Sequence, residues 1–395
     1  MKISIFSDAH CGYDFGGERG QDAFEALDEA MEKSLDSDLI IMAGDMFDTR
    51  IPRPEVFAKV SRILSKAQNV DNNTKVYDLV NKDKNDILPT ALRGIPVVGI
   101  HGTHERRSKH MVNPMEALEH AGLIIHLHCG TAVFDINGNR VAVHGMSGVP
   151  ERYAGECLKT WNPKPIPGAK NIFVFHQSIE PYIYSPLDPP TLKLEDLPDG
   201  FDLYVLGHIH WSEIKDLKRG KLLLTGSLIP TSIHKSEAEQ RKGVFFWDGN
   251  RIEQRSIKQR RVFMDSFTNM AGIKDNIERR IQQILVHDYD MKPIINIKIR
   301  GKVPKGEEPP NFYDIAEKYS GKAIINFNKK LVAEGFKDQM ELLQAMKEER
   351  ISPEEQGMKI LRENLSQSKC RINADDIFDL LVEGNVDSVY GMLIK

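Results

Sequence analysis

Five short runs of histidine and acidic residues each come directly after an apolar stretch that predicts a buried strand. In an open α/β sheet the carboxyl ends of the strands meet at one edge, so side chains that are distant in sequence converge there. Convergence of imidazole and carboxylate groups indicates a metal site. The runs are Asp8-Ala9-His10, Gly44-Asp45-Met46-Phe47-Asp48, Gly102-Thr103-His104-Glu105, His176 and Gly207-His208-Ile209-His210.

The apolar stretches alternate with helical patterns over residues 1–262. Two intervening segments, Gln21–Leu35 and Glu55–Ala67, carry apolar residues at helical spacing. Strand alternating with helix predicts an α/β domain whose sheet is covered by helices. The predicted strands are Lys2–Phe6, Leu39–Ala43, Val97–Ile100, Val141–His144, Ile172–Phe175, Leu203–Leu206 and Leu222–Thr225.

The donor types in the five runs narrow the chemistry. Nitrogen and oxygen ligands without thiolate suit Mn²⁺, Fe²⁺ or Zn²⁺, and the candidates outnumber the ligands that a single ion needs. Two ions about 3.5–4 Å apart would bridge a phosphate and lower the pKa of a bound water, which predicts phosphoester hydrolysis. One run alone is more often a turn or a helix cap, whereas five in this order favour the metal site.

Cysteine content and hydropathy indicate the compartment. Cys11, Cys129, Cys157 and Cys370 form no C-x-x-C pair and are too few for a disulfide framework, so we predict reduced, mostly structural thiols. No apolar run approaches the roughly 18 residues of a membrane span, and the first apolar residues are too few for a signal peptide. The sequence therefore predicts a cytoplasmic protein.

The pattern changes near Arg260. Residues 251–302 hold 12 basic and 6 acidic side chains, although the whole chain has a net charge of −4. We predict a small α+β domain over residues 263–332, with a helix at Ile273–Val286 and a strand at Ile294–Gly301. Its positive surplus is compatible with DNA, and a solvated charged face is the alternative.

The end of the chain predicts short helices. A linker over residues 333–350 leads to a helical segment over residues 351–395, in which Ser352 before Pro353 marks a helix start. So short a segment makes a poor core of its own, so we expect it to pack on another surface. The apolar side chains that need this burial are Ile377, Phe378, Leu380, Leu381 and Met392.

The order of the motifs D-x-H, G-D-x-x-D, G-x-H-E, H and G-H-x-H resembles the calcineurin-like metallophosphoesterase superfamily. Within it, the runs AGDMFD, VFHQS and TGSLIPTS resemble the SbcD / meiotic-recombination-eleven family of DNA-break repair nucleases, in an archaeal-type short form. The resemblance implies a β-sandwich flanked by helices, a small α+β capping domain and C-terminal helices.

The resemblance also implies roles for the motif residues. Two Mn²⁺ ions would share Asp45, and other divalent metals are possible. His104 would be catalytic without binding metal, and Asp48 would hold His10 or another ligand in place. The first ion would take Asp8, His10, Asp45 and His210, and the second Asp45, Thr103, His176 and His208.

Thr103 departs from the family pattern, which usually has Asn at this position. A Thr hydroxyl sits on a shorter side chain than the Asn carbonyl oxygen, so it would reach the second ion less directly. His101 or Glu105 could take its place. We therefore expect the second ion to bind more weakly and activity to need high Mn²⁺.

The family further implies a 3′-to-5′ exonuclease on duplex DNA and an endonuclease on single strands. Its partners would be DNA, a second copy of the chain, and a coiled-coil ABC-type ATPase (SbcC-like) bound by the C-terminal helices. Arg106, Arg107, Lys109 and His110 could contact DNA or form a solvated loop. Candidate dimer positions, for which the core is the default interpretation, are Phe57, Val60, Leu64, Met115, Leu118 and Ala121.

Two other functions stay open. A non-catalytic scaffold, impaired at Thr103, would hold ATPase partners and DNA ends, although the other ligands are complete. A phosphatase on a non-DNA substrate would use the same fold, and the basic second domain disfavours it.

Overall fold

The computed structural model describes residues 1–108, 110–183, 192–218, 220–231, 235–268, 272–303 and 309–333, and from 357 onward residues 357–358, 360–362, 365, 373–382, 389 and 392. The chain divides into two compact units. The first comprises Met1–Asp265, Glu278–Ile297 and Ile315–Asn326; the second takes its described residues from Ser266–Ile277, Lys298–Asp314 and Phe327–Lys395. The predicted boundaries at 262 and 332 stay predictions.

Strands occur in both units. In the described part of the chain they are β1 (Ile3–Phe6), β2 (Leu39–Met42), β3 (Lys75–Val80), β4 (Val97–Gly99), β5 (Ile125–His126), β6 (Gly130–Ile136), β7 (Asn139–Met146), β8 (Ala169–His176), β9 (Ile179–Glu180), β10 (Leu192–Lys193), β11 (Leu203–Gly207), β12 (Glu213–Asp216), β13 (Lys221–Leu224), β14 (Gly243–Trp247), β15 (Ile252–Ser256), β16 (Val262–Phe267), β17 (Ile294–Val303) and β18 (Ile324–Ala333).

Helices connect these strands. The α-helices in the described residues are α1 (Asp22–Ser34), α2 (Pro54–Leu64), α3 (Pro114–His120), α4 (Glu151–Trp161), α5 (Lys235–Ala238), α6 (Ile273–Ile284), α7 (Tyr313–Tyr319) and α8 (Ala374–Val382). Short 3-10 helices cover Ser65–Asn69, Lys84–Asp86, Pro89–Leu92 and Leu194–Asp196. Among the described helices, none combines the length and apolar character of a membrane crossing.

Two sheets form the body of the first unit. One has the order β15-β14-β1-β2-β4-β5 and the other β12-β13-β11-β8-β7-β6-β3. In the first sheet β1, β2, β4 and β5 are parallel, and β14 and β15 are added at one edge as antiparallel strands. In the second sheet the central strands β13, β11, β8 and β7 are parallel, and the strands at both edges are antiparallel. The sequence pattern placed the five motifs at the edge of one sheet, whereas the structure divides their strands between two.

The core lies between the sheets and on their outer faces. Ile3 and Ile5 of β1 face a cluster that also contains Ile172 and Val174 of β8, so the two sheets pack face to face. The alternate residues of β1 and β8 point outward: Phe6 packs with helices α1, α2 and α3, and Phe173 and Phe175 pack with α4. Both faces of these strands are therefore buried, which explains their continuous apolar runs. This two-sheet arrangement is the predicted β-sandwich flanked by helices.

Local signals fix the helix that follows the third motif. Asn113 and Glu116 form a reciprocal capping box, in which each side chain accepts the other's backbone N–H at 2.9 Å, and Pro114 occupies the first helical position. Met115 and Leu118 of this helix are fully buried, as are Val60 and Leu64 of α2, while Phe57 is partly buried and stacks on Phe47. These side chains belong to the core, as the default interpretation had it, whereas Ala121 is exposed.

After residue 262 the sequence predicted one helix and one strand that the structure contains. The predicted helix at 273–286 and strand at 294–301 correspond to α6 and β17, and β17 lies between β16 and β18 in a three-stranded sheet. In the second unit Phe312 stacks on Phe327 with ring centroids 5.2 Å apart. The predicted linker beyond residue 333 and most of residues 351–395 lie outside the described residues, which include α8.

A buried histidine makes the stability of the first unit depend on pH. The Nδ1 atom of His144 lies 2.8 Å from the Thr131 hydroxyl, and its Nε2–H donates to the Asn171 Oδ1 atom at 3.1 Å. Burial lowers the pKa of His144 to about 4, against the opposing effect of the Asn171 hydrogen bond. Between pH 6.5 and 4 the unfolded chain therefore binds a proton that the folded chain excludes, so stability falls as the pH falls.

We expect His144→Gln to remove part of this pH dependence. At about 1.4 kcal/mol per pH unit, the free energy of unfolding of the wild type should fall relative to the variant by up to about 3 kcal/mol from pH 6.5 to 4. Urea unfolding of metal-free protein, followed by the fluorescence of Trp161, Trp211 and Trp247, measures it, since all three lie in the first unit. Parallel pH curves for the two proteins would contradict this assignment.

Candidate metal centre

The motif residues lie where the parallel strands of the two sheets end. Asp8, Asp45 and Gly102 follow β1, β2 and β4 of the first sheet, and His176 ends β8 of the second sheet beside Gly207 of β11. Asp8 N donates to Gly44 O at 2.9 Å and His10 N donates to Asp45 O at 3.0 Å. Backbone hydrogen bonds thus join the first two motifs before any side chain is considered.

Four of the motif residues adopt left-handed backbone conformations. The φ angles are 52° at Asp8, 49° at His10, 49° at Asp45 and 81° at His208. Such angles cost non-glycine residues of the order of 1–3 kcal/mol each and cluster at functional sites. The backbone strain that orients these four side chains therefore lowers the stability of the fold.

Glycine allows the third motif to approach the second. A Cβ atom on Gly102 would lie 2.2 Å from Asp45 Oδ1 and 2.6 Å from Asp45 N, which no side chain can occupy. A Cβ atom on Gly207 would likewise lie 2.1 Å from Ala43 O. These positions require glycine because of close packing, and Gly102 needs no unusual φ angle.

The structure brings together three groups of possible ligands in its described residues. One combines His10 with Asp48 and His104, and the other two form a first and a second cluster. In the first, His10 Nε2 lies 3.2 Å from His210 Nε2 and 3.9 Å from Asp8 Oδ1, and His210 Nε2 lies 3.6 Å from the same oxygen. In the second, Asp45 Oδ2 lies 3.0 Å from His176 Nε2, and His208 completes the group. All six residues were predicted, and each cluster offers imidazole and carboxylate atoms close enough to hold one ion.

The pKa shifts of the buried groups show that the second cluster favours positive charge beside its carboxylate. Burial by itself would raise the pKa of Asp45, but the charge of His176 and a hydrogen bond to it lower that pKa instead. Burial opposes the charged form of His176, yet Asp45 and Asp8 raise its pKa to about 10. Burial and the charge of His176 lower the pKa of His208 to about 4. The buried carboxylates thus stay ionised and draw cationic partners, as a metal-binding donor set does.

A second layer of contacts orients the imidazoles. His176 Nδ1 lies 2.8 Å from Ala43 O and His10 Nδ1 lies 3.2 Å from the Asp48 carboxylate, which leaves each Nε2 turned to its cluster. The Asp48 contact is the one predicted for that residue. His210 Nδ1 lies 2.8 Å from the Thr231 hydroxyl.

The support behind His210 was not predicted. Thr231 N donates to Glu237 Oε1 at 3.3 Å, and the buried Lys242 ammonium donates to the same oxygen at 2.9 Å and to His210 O at 2.8 Å. Thr231 is the seventh residue of the TGSLIPTS run, which indicated only the family resemblance. Its Thr and Ser content was the signal that could have indicated polar support for a ligand.

Thr103 lies beside the second cluster. Its hydroxyl donates to Asp45 Oδ2 at 3.2 Å. The two proposed substitutes have other partners: His101 Nδ1 lies 3.0 Å from His126 Nε2, and Glu105 accepts Phe47 N and Gly102 N at 2.9 and 2.8 Å. Glu105 therefore fastens the third motif to the second.

His104 lies at the rim of the clusters. Its backbone N–H donates to Asp45 Oδ1 at 2.8 Å, its Nδ1 lies 2.9 Å from Asp48 O, and 45% of its side chain is exposed. It borders an open cavity of about 400 Å³ that Arg50 and Arg106 also line. The site thus presents a histidine and two cationic side chains to a negatively charged substrate.

Several basic side chains of the segments that the sequence suggested for DNA binding have other roles. Arg260 forms a bidentate pair with Asp22, at 2.7 and 2.9 Å, and is largely buried, so it stabilises the fold rather than offering a free cation. Arg255 pairs with Asp36 at 3.3 Å. Arg107 donates to Met111 Sδ at 3.3 Å, and Lys109 lies outside the described residues.

Comparison with known proteins agrees with this geometry. Residues 1–212 match the family model described as calcineurin-like phosphoesterase. The chain belongs to this family. Membership implies that it binds a divalent metal, and the donor sets of the two clusters fit such ions.

Several relatives, including the following three, carry the name DNA double-strand break repair protein Mre11. The protein of Methanopyrus kandleri is 29% identical over 53% of this chain, and this chain covers 44% of it. The protein of Thermoplasma acidophilum is 25% identical over 75% of this chain and 76% of its own length. That of Sulfurisphaera tokodaii is 26% identical over 77% and 75%.

We expect Gly102→Ala to weaken metal binding at least about tenfold, because the new methyl group must displace the Asp45 carboxylate that the second cluster needs. Isothermal titration of metal-free protein with Mn²⁺ measures the affinity. Gly321→Ala is the control, since a Cβ atom there meets nothing within 4 Å. Equal affinities in the two variants and the wild type would show that the Gly102 contact does not position Asp45.

Proposed function

We propose that the protein is a divalent-metal-dependent DNA nuclease that processes the ends of double-strand breaks. The observation that carries the proposal is the pair of histidine–carboxylate clusters at one edge of the two sheets, beside a cavity lined by arginine. Family membership supports phosphoester hydrolysis, and the name that the Mre11 relatives share, DNA double-strand break repair protein, supports DNA as the substrate.

We propose two metal positions. Asp8, His10, Asp45 and His210 would hold the first ion; Asp45, Thr103, His176 and His208 would hold the second. Bound divalent ions supply Lewis acidity and a water of lowered pKa, and Mn²⁺ is the metal we propose. The protein's own contribution is to fix the ligands, since Ala43 O, Asp48 and Thr231 each contact one imidazole.

His104 would act on the leaving group. Because its Nδ1 is engaged by Asp48 O, its Nε2 is the ring atom left for the substrate. We propose that Nε2–H of the imidazolium form donates its proton to the departing 3′ oxygen as the phosphorus–oxygen bond breaks. Arg50 and Arg106 would neutralise neighbouring phosphates and hold the strand over the clusters.

The remaining assignments rest on the family resemblance of the sequence motifs. We propose 3′-to-5′ exonuclease activity on duplex ends, endonuclease activity on single strands, and cytoplasmic action where the DNA is accessible. We also propose a homodimer and a complex with a coiled-coil ABC-type ATPase through residues 351–395. Within that segment Ile377 of α8 is buried and Leu381 is exposed, which leaves apolar surface for a partner.

We expect His104→Ala to lower the rate of Mn²⁺-dependent cleavage of a labelled duplex by about 10²–10⁴-fold, because a positioned proton donor is lost. Mn²⁺ affinity should not change, since His104 is not among the proposed ligands. His120→Ala, at an exposed position, is the matched control. Equal cleavage by wild type and H104A would refute the role of His104, and no cleavage by either would weaken the nuclease assignment.

We expect Thr103→Asn to lower the Mn²⁺ concentration at half-maximal cleavage by about tenfold, because the longer side chain brings a carbonyl oxygen to the second ion. Thr103→Ser keeps the hydroxyl and should behave as the wild type. The measurement is cleavage rate against Mn²⁺ concentration. Wild-type protein that already holds two ions at low Mn²⁺ would contradict this expectation.

A further inference from the structure

Two cysteines that are 28 residues apart in sequence lie side by side in the first unit. The Sγ atoms of Cys129 and Cys157 are 3.4 Å apart, with Cys129 just before β6 and Cys157 in helix α4. The sequence predicted separate, reduced thiols, and the approach arises only because α4 packs beside the turn before β6. Neither cysteine belongs to the metal clusters.

Both thiols are accessible. They are half-buried in the wall of an open cavity of about 500 Å³, which Tyr153 and Trp161 also line. Cys11 provides the contrast: it is 1% exposed, and burial raises the pKa of its thiol. A small reagent can therefore reach Cys129 and Cys157 in the folded protein but not Cys11.

The contact between the two thiols shifts their pKa values in opposite directions. Either sulfur can donate in the hydrogen bond between the two thiols. With Cys129 as the donor, this hydrogen bond lowers the pKa of Cys157 to about 7. The same hydrogen bond, together with burial, raises the pKa of Cys129. Since the thiolate is the nucleophile in exchange reactions, Cys157 is the attacking thiol and Cys129 the resolving one.

We propose that Cys129 and Cys157 form a redox-active dithiol that closes reversibly to a disulfide by exchange with low-molecular-weight disulfides. Closure requires the two sulfur atoms to move about 1.3 Å closer. The bond would tie helix α4 to the turn before β6. The proposal does not depend on the nuclease assignment.

The exchange balances in two steps. The Cys157 thiolate attacks one sulfur of the external disulfide, forms a mixed disulfide and releases the first small thiolate, which takes a proton. Cys129 then loses its proton to solvent and attacks Cys157 Sγ, which breaks the mixed disulfide and releases the second small thiolate. The two cysteine sulfurs together lose two electrons, and the external disulfide gains them.

The test incubates the full-length native protein with oxidised glutathione, blocks the remaining thiols by alkylation and digests the protein without reductant. We expect a linked peptide pair containing Cys129 and Cys157, little glutathione on either residue, unmodified Cys11, and full reversal by a dithiol reductant. Cys370→Ser is the control and should leave the linked pair unchanged.

Variants at the pair separate the two steps. In Cys129→Ser the hydroxyl still donates to Cys157, so glutathione should add at the wild-type rate and remain on Cys157. In Cys129→Ala the donor is lost, and addition should slow by about threefold to fivefold. Separate adducts without a linked pair in the native wild type, or a linked pair that forms only after unfolding in denaturant, would overturn the proposal.

Discussion

The site depends on the contacts of one buried group, the Asp45 carboxylate. It accepts hydrogen bonds from the His104 backbone and the Thr103 hydroxyl at 2.8 and 3.2 Å, and its Oδ2 atom lies 3.0 Å from His176 Nε2. These partners lie in the loop after β4 of one sheet and at the end of β8 of the other, so one buried group joins the two sheets at their carboxyl edges. A buried charge without such partners would be strongly destabilising, which makes the joint both structural and functional.

The rest of the site is arranged around this joint at a cost in backbone strain. Asp8, His10, Asp45 and His208 hold positive φ angles, and Gly44, Gly102 and Gly207 give the space that the imidazoles and the Asp45 carboxylate occupy. The tightly packed parallel strands behind these loops offset the strain, since residues such as Ile5 and Val174 are fully buried between the sheets. Behind the imidazoles, Ala43 O, Asp48 and the Thr231–Glu237–Lys242 group complete the support.

Sequence and structure also differ over which basic side chains are available to bind DNA. The basic surplus of residues 251–302 suggested a DNA-binding surface, but Arg260 and Arg255 pair with Asp22 and Asp36. Sequence counts cannot distinguish a free cation from one neutralised by a carboxylate more than 200 residues away. Arg50 and Arg106 beside the clusters are the cations that the geometry brings to the proposed substrate.

Sequence by itself determined the motif residues, the central strands and the main helices, because apolar runs and helical spacing are local signals. The predicted strands at 2–6, 39–43, 172–175 and 203–206 correspond to β1, β2, β8 and β11. Tertiary structure decided what distant segments do together: the division of these strands between two sheets, the pairing of β14 with β1, the Thr231 contact to His210, and the approach of Cys129 to Cys157. Each depends on contacts between residues far apart in the chain, which no local pattern encodes, and only packing of the two sheets and their helices brings them within bonding distance.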